Sequence, residues 1–355
     1  MTEQRFQQTP LFQLNLLLWL SMPARDTWIT PIFWKSGFAV YAVGASIRVP
    51  IGVKLRLDAL TGQDVIASSV SPDLLLRNEL RKTLLTIECK VSSFGPRSDG
   101  ASQALGILAC TGDYVADFLG LPQPDQWTAW GAYAVSHPQQ TAMSKTLVGL
   151  GEQLKAIGAD QCIATAFGID VATDGVFLDF FEPPQLPLNV IARQKVMNLE
   201  IGDDPRPLYL IPLDPSIDAQ DEYGKRVVQE RVRAAFASLV ASRLEQGSFA
   251  VSWEELMIGA IQVWPLWKDR DSCRNLLGQT KTYVRKILAE IGRLGVTSEF
   301  TNSGFALEGV DRSSAQRIRR YFMGIAYRQG ELDLWQEGVQ LGFEDVGGWD
   351  PASND

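Results

Sequence analysis

Residues 72–90 read Pro-Asp-Leu-Leu-Leu-Arg-Asn-Glu-Leu-Arg-Lys-Thr-Leu-Leu-Thr-Ile-Glu-Cys-Lys. The run from Leu84 to Val91 is rich in β-forming residues and too short for a helix, so a buried strand is expected there. A second strand is expected from Val70 to Leu76, with Pro72 at its start or edge. The polar stretch Arg77 to Lys82 supplies the turn between them. Side chains on a strand alternate between its two faces. Glu88 and Lys90 therefore emerge side by side, while Ile87, Cys89 and Val91 turn to the other face. At a sheet edge such a pair would be an ordinary solvated device against edge association. The apolar neighbours speak against an edge. Inside a sheet, the two charges must serve each other or a ligand, because unpaired burial is costly.

Asp73 and Glu88 are hard oxygen donors of the kind that hold Mg²⁺, and a lysine beside them can orient a water and stabilise developing negative charge. The Pro-Asp, the fourteen residues between Asp73 and Glu88, and the Glu-x-Lys resemble the motif of the PD-(D/E)XK nuclease superfamily, the restriction-endonuclease-like fold. The resemblance covers about residues 30–185. It implies that Asp73 and Glu88 bind Mg²⁺ (or Mn²⁺) and that Lys90 serves the nucleophilic water. It also implies that Gln103, early in the helix expected after the polar loop Ser92 to Gly100, contacts the site. The fuller Gln-x-x-x-Tyr signature of one branch is absent, since residue 107 is Ile. Arg97 in that loop is placed to cover the substrate backbone. The implied activity is hydrolysis of DNA phosphodiester bonds, in defence against foreign DNA or in DNA repair. The implied partners are DNA and a helicase, another NTPase or another defence-complex subunit, with self-association left open. An RNase on the same site, or an inactive nuclease-fold scaffold that binds nucleic acid or protein, are the alternatives.

Other chemistries find little support. The single histidine, His137, cannot build a two-histidine zinc site, and no Gly-x-Ser-x-Gly elbow accompanies it. Cys89, Cys110, Cys162 and Cys273 lack Cys-x-x-Cys spacing and read as buried thiols. No phosphate-binding Gly-x-x-x-x-Gly-Lys loop occurs, so any ATP hydrolysis is assigned to a partner. The run Leu11 to Leu20 is interrupted by Gln13 and Asn15 and is too short to span a membrane, so an amphipathic helix is expected. No membrane association is expected, and with no disulfide pattern the cytoplasm is the expected compartment.

The chain carries 33 basic and 41 acidic residues, a net charge of −8. From Lys225 to Arg328 there are 17 basic and 10 acidic residues, or +7, leaving 16 and 31, or −15, elsewhere. A phosphate backbone requires a local positive face rather than a positive whole. The alternation of patterns before residue 204 predicts an α/β domain over 1–204, a mixed central sheet flanked by helices, with an N-terminal helix. Strands are expected near 33–43, 46–57, 126–135, 161–169 and 176–181, and helices over 101–119 and 139–157. Prolines 205, 207, 212 and 215 mark a linker over 205–222. Residues 223–355 are expected to form a mainly helical, winged-helix module with an acidic tail. Its helices fall over 224–245, 252–264 (opened by the capping box Ser252 to Glu255) and 271–294, with Gly278 as a turn. Two short β-like runs around Asn302-Ser303-Gly304 follow. The helix carrying Lys281, Arg285 and Lys286 would then enter a DNA groove, with the hairpin as wing.

Overall fold

The computed structural model describes residues 9–23, 28–61, 66–95, 98–181, 186–198, 210–211 and 222–322. Two units result, one of Met1–Gln220 with Val263–Arg274, the other of Asp221–Gln262 with Asn275–Asp355. The segment Val263–Arg274 thus belongs to the first unit although it follows the proline-rich stretch. Within that stretch Leu210 and Ile211 are buried. The remaining residues of 205–221, and the acidic tail, lie outside the described residues.

The first unit runs α1 (Pro10–Leu20), α2 (Ile32–Lys35), β1 (Ala39–Val43), β2 (Ile47–Arg48), α3 (Ile51–Thr61), β3 (Ser69–Val70), β4 (Leu74–Asn78) and β5 (Thr83–Cys89). It continues through α4 (Asp99–Leu108), α5 (Gly112–Phe118), β6 (Thr128–Ser136), α6 (Gln140–Ala156), β7 (Ile163–Ala172), β8 (Gly175–Asp179) and β9 (Arg193–Asn198). Seven strands form one mixed sheet in the order β1-β4-β5-β6-β7-β8-β9. The pairs β5–β6 and β6–β7 are parallel and the others antiparallel. Each parallel connection passes through helices, as a crossover requires. Leu84, Tyr133 and Ala166 on one face of the sheet share a core with Leu105, Leu108, Met143, Leu150 and Leu154 of α4 and α6. Burying each of these leucines contributes roughly 1.5–3 kcal/mol.

β5 is the third of the seven strands and all of its residues are buried. The edge-strand explanation of Glu88 and Lys90 is thereby removed. The turn is where the polar stretch predicts it, with Asn78 paired to Thr83 and Lys82 at φ 49°. Thr173 and Asp174 join β7 to β8, where Ala172 pairs with Gly175.

Several expectations are corrected. α1 is not amphipathic, because Gln13 and Asn15 are fully buried with its leucines. The Asn15 side chain donates to the Ile211 carbonyl (2.9 Å) and accepts from its N–H (2.8 Å), so it satisfies both backbone groups of a buried residue. The expected strand over 46–57 is β2 followed by the helix α3, which starts just after Pro50 and buries Val53 and Leu57, four residues apart. The stretch 33–43 is α2 and β1, separated by Gly37 at φ +87°. The single helix expected over 101–119 is two, α4 and α5. The second begins at Gly112, where a Cβ would meet the Trp127 carbonyl oxygen at 2.2 Å. β9 was not anticipated.

The second unit holds α7 (Glu222–Ala241), β10 (Phe249–Ser252), α8 (Trp253–Ala260), the larger part of α9 (Arg270–Gly292), β11 (Thr297–Phe300) and β12 (Gly304–Glu308). Its sheet has the order β10-β12-β11. Ser252 caps α8 by accepting from the Glu255 N–H at 3.1 Å, as the capping box predicts. Glu255 turns its carboxylate to Arg243 instead of back to the cap. α9 passes through Gly278 without a turn. Phe236 stacks on Phe305 at 4.7 Å and centres the core of this unit.

Candidate active site

β4 pairs with β5 in a register that sets Leu74 opposite Ile87, and one further step sets Asp73 opposite Glu88. On the other side of β5, Glu88 pairs with Tyr133 of β6. Directly opposed residues on neighbouring strands share a face, about 4.8 Å apart. Asp73, Glu88 and Tyr133 therefore stand in one row across three strands. An Asp73 carboxylate oxygen accepts from the Cys89 N–H at 2.7 Å, which holds the residue against the end of β5.

Glu88 is 3% exposed. Its Oε1 lies 2.8 Å from Lys90 Nζ. Lys90 Nζ also donates to Gln103 Oε1 at 3.2 Å. Gln103 comes from the first turns of α4, whose start is capped by Ser98 accepting from the Ala101 N–H. The structure thus brings Glu88, Lys90 and Gln103 together, with Asp73 beside them. Glu88 Oε2 is buried and has no hydrogen-bond partner among the described residues.

Burial pushes the Glu88 carboxyl above the usual carboxylate range, and the Lys90 ammonium, the Asp73 N–H and the Gln103 amide pull it back only in part. None of the three closes a hydrogen bond on Oε2. Burial alone would lower Lys90, but the Glu88 and Asp73 carboxylates outweigh it and raise its pKa. The two directions disagree about how strongly the pair is ionised. The 2.8 Å contact and the second carboxylate decide for a charged Lys90 at neutral pH. Lys90 is then a cation and a hydrogen-bond donor, not a base. Burial, and next the Glu88 carboxylate, hold the Tyr133 phenol well above its ordinary value, so it too is a donor.

Asp73 and Glu88 fit a divalent cation. Magnesium is commonly held by one or two carboxylates, with water and phosphate oxygens completing the shell. A buried carboxylate oxygen without a partner, Glu88 Oε2, is the kind of donor such an ion satisfies. No group of three or more His, Cys, Asp or Glu side chains comes together among the described residues.

Arg97 lies outside the described residues. In the second unit, Lys281 Nζ sits 5.4 Å from the centre of the Trp253 ring and Arg285 Cζ 4.2 Å from that of Phe300. Two of the three predicted DNA contacts on this helix thus lie over aromatic rings, and Arg285 is exposed like the third, Lys286. His137 stands beyond the end of β6, where its Nδ1 lies 3.2 Å from Asp179 Oδ2. Arg193 Nη1 contacts both Asp179 oxygens, at 2.9 and 3.1 Å, and its Nη2 contacts Asp170 at 2.6 Å. This chain ties β7, β8 and β9 together, and no serine is bonded to His137 among the described residues. Cys89, Cys110 and Cys162 are buried free thiols, as expected, while Cys273 is half-buried.

Two polar residues at the site escaped the sequence reading. Gln13 donates to the Lys90 carbonyl oxygen at 3.1 Å. Tyr133 stands beside Glu88. Each is a polar tip inside an apolar run, and that anomaly was the available signal.

This chain matches no family model, no curated protein and no solved structure. The site itself consists of Glu88 and Lys90 at the end of the central strand β5, with Asp73 beside them just before β4. Among the described residues no helix is long and apolar enough to cross a membrane.

Proposed function

We propose that the protein is a metal-dependent nuclease that hydrolyses DNA phosphodiester bonds at Asp73, Glu88 and Lys90, on a first unit of restriction-endonuclease-like fold. The observation that carries this reading is the Glu88–Lys90 pair at 2.8 Å at the end of a central strand, Glu88 buried and Lys90 half-buried, with Asp73 level with Glu88 beside the adjacent strand. A structural ion pair would need neither the second carboxylate nor a partnerless carboxylate oxygen.

When bound, a Mg²⁺ or Mn²⁺ ion supplies Lewis-acid polarisation of the phosphate and lowers the pKa of a coordinated water. Asp73 and Glu88 hold it. Lys90, as a cation, donates to the attacking water or to a phosphate oxygen and stabilises charge as it develops. Gln103 fixes the Lys90 ammonium from α4. The water oxygen bonds to phosphorus as the bond to the leaving oxygen breaks with its electron pair. One proton passes from the water to solvent and one returns to the leaving oxygen.

The second unit supplies the substrate-holding surface in this reading. Its order α7-β10-α8-α9-β11-β12, with the sheet order β10-β12-β11, suits a winged helix in which α9 enters the groove. A role in defence against foreign DNA or in repair, alongside an NTPase partner in the cytoplasm, completes the proposal by resemblance. The test is to incubate the protein with plasmid, single-stranded DNA and RNA in Mg²⁺ or Mn²⁺, beside Asp73→Ala, Glu88→Gln and Lys90→Ala. Cleavage of DNA by the wild type, lost in all three variants, is expected. Cleavage that persists in the variants would remove the site, and cleavage confined to RNA would reassign the substrate.

A further inference from the structure

We propose that Tyr133 is a positioning residue of this site, its phenolic hydroxyl holding Glu88 Oε2 through one buried water. The inference rests on Asp73 and Glu88 being the cation ligands.

Tyr133 is fully buried and its hydroxyl has no hydrogen-bond partner among the described residues. A buried tyrosine ordinarily finds a partner for its hydroxyl, since stripping that group of water without one is costly. Packing does not explain the hydroxyl. Tyr133 belongs to the buried apolar cluster that also holds Val135, Cys162 and Ala166, and a phenylalanine would keep its ring in that cluster. The ring itself is fixed, with Phe94 meeting it edge-on at 5.8 Å.

The other partnerless oxygen at this place is Glu88 Oε2, and Glu88 is the residue with which Tyr133 pairs in the β5–β6 ladder. One of the two groups is a donor and the other an acceptor, on the same face and at the same level. A donor and an acceptor at paired positions of one ladder, both without a partner among the described residues, can be satisfied by a single bound water. A carboxylate oxygen has two lone-pair directions, so the same Oε2 can serve a cation with one and the water with the other. Hydrogen bonds of this outer kind orient a ligand and set its affinity. Asp73, Glu88 and Tyr133 thus form a row in which the first two hold the ion and the third holds the ligand.

The experiment compares wild type, Tyr133→Phe and Glu88→Gln by calorimetric titration with Mn²⁺ and by thermal unfolding with and without Mn²⁺, with no substrate present. Wild type is expected to bind, and Glu88→Gln to lose binding. Without Mn²⁺, Tyr133→Phe should stay folded and melt at or slightly below the wild-type temperature, because it keeps the ring and loses only the hydroxyl's hydrogen bond to the water. Its Kd for Mn²⁺ should rise about tenfold or more, with a smaller thermal shift on adding the ion. A Tyr133→Phe variant that binds Mn²⁺ as tightly as wild type, while Glu88→Gln does not bind, overturns the role of Tyr133 and leaves the site intact. A wild type that binds no cation overturns both. Should the phenylalanine variant fail to fold, Tyr133→Met removes the same hydroxyl with a smaller, flexible apolar side chain and is judged by the same titration.

Discussion

The Gln13 side chain donates to the backbone carbonyl of Lys90 at 3.1 Å, joining two residues 77 positions apart. Lys90 stands just past the end of β5, where its N–H still donates to the Ala134 carbonyl. Lys90 is therefore tied to β6 through its N–H and to α1 through its carbonyl. Among the described residues its ammonium contacts Glu88 and Gln103.

Gln13→Leu removes the tie to α1 at nearly constant volume. A loss of about 1–3 kcal/mol is expected, because a buried carbonyl loses a donor. If the tie aims Lys90, kcat falls more than KM changes. Urea unfolding and steady-state kinetics on a short duplex measure the two effects. An unchanged kcat with the same loss of stability would leave Gln13 a packing role only.

Lys90→Met leaves Glu88 buried without its countercharge. Removing one partner of a fully buried pair costs roughly 3–5 kcal/mol, and the partial exposure of Lys90 reduces this to about 2 kcal/mol or more at pH 8. The pKa of Glu88 is raised in the folded state, so the folded protein takes up a proton where the unfolded chain is still ionised. Stability is then lost as pH rises through the folded value and regained as pH falls. The deficit of Lys90→Met should shrink between pH 8 and pH 5. The double variant Glu88→Gln with Lys90→Met should recover most of it. Denaturation at both pH values checks the sign, and an equal deficit at both would show that Glu88 does not carry the penalty.

The thiols separate by burial. Cys110 and Cys162 are each pushed up to about 12 by burial, and Cys89 well above its ordinary value for the same reason. At pH 8 Ellman's reagent should label Cys273 first and the other three only as the protein unfolds. The folded protein holds these protons more tightly than the unfolded chain. For Cys110 and Cys162 that contribution to stability is whole below about pH 9 and declines toward pH 12, by about 1.4 kcal/mol per pH unit and thiol. Early labelling at Cys110 or Cys162 would contradict their burial.

In the second unit Arg285 and Lys286 are both exposed, but only Arg285 lies over a ring, that of Phe300, so the two should behave differently. Lys286→Ala is expected to leave the melting temperature alone and to lower the salt dependence of DNA binding by about 0.9 in log–log slope, one phosphate contact. Arg285→Ala should weaken binding and also cost about 0.5–1 kcal/mol of stability, from the lost ring contact. Binding isotherms over a salt series decide this, and no change of slope in either variant would turn the DNA-contacting role away from α9.

The order of β4, turn and β5, the shared face of Glu88 and Lys90, the helix carrying Gln103 and the hairpin β11–β12 were legible in the sequence. Each depends on residues close in the chain, whose periodicity of two or 3.6 is written locally. The α3 helix was misread because a four-residue repeat of Val53 and Leu57 lies among other apolar residues that suit a strand equally well. Only the tertiary structure decided that β5 is a central strand, that Tyr133 stands beside Glu88, that Gln13 reaches Lys90 and that Val263–Arg274 belongs to the first unit. Those relations depend on which apolar faces bury one another across long stretches of chain, and local pattern does not encode that choice.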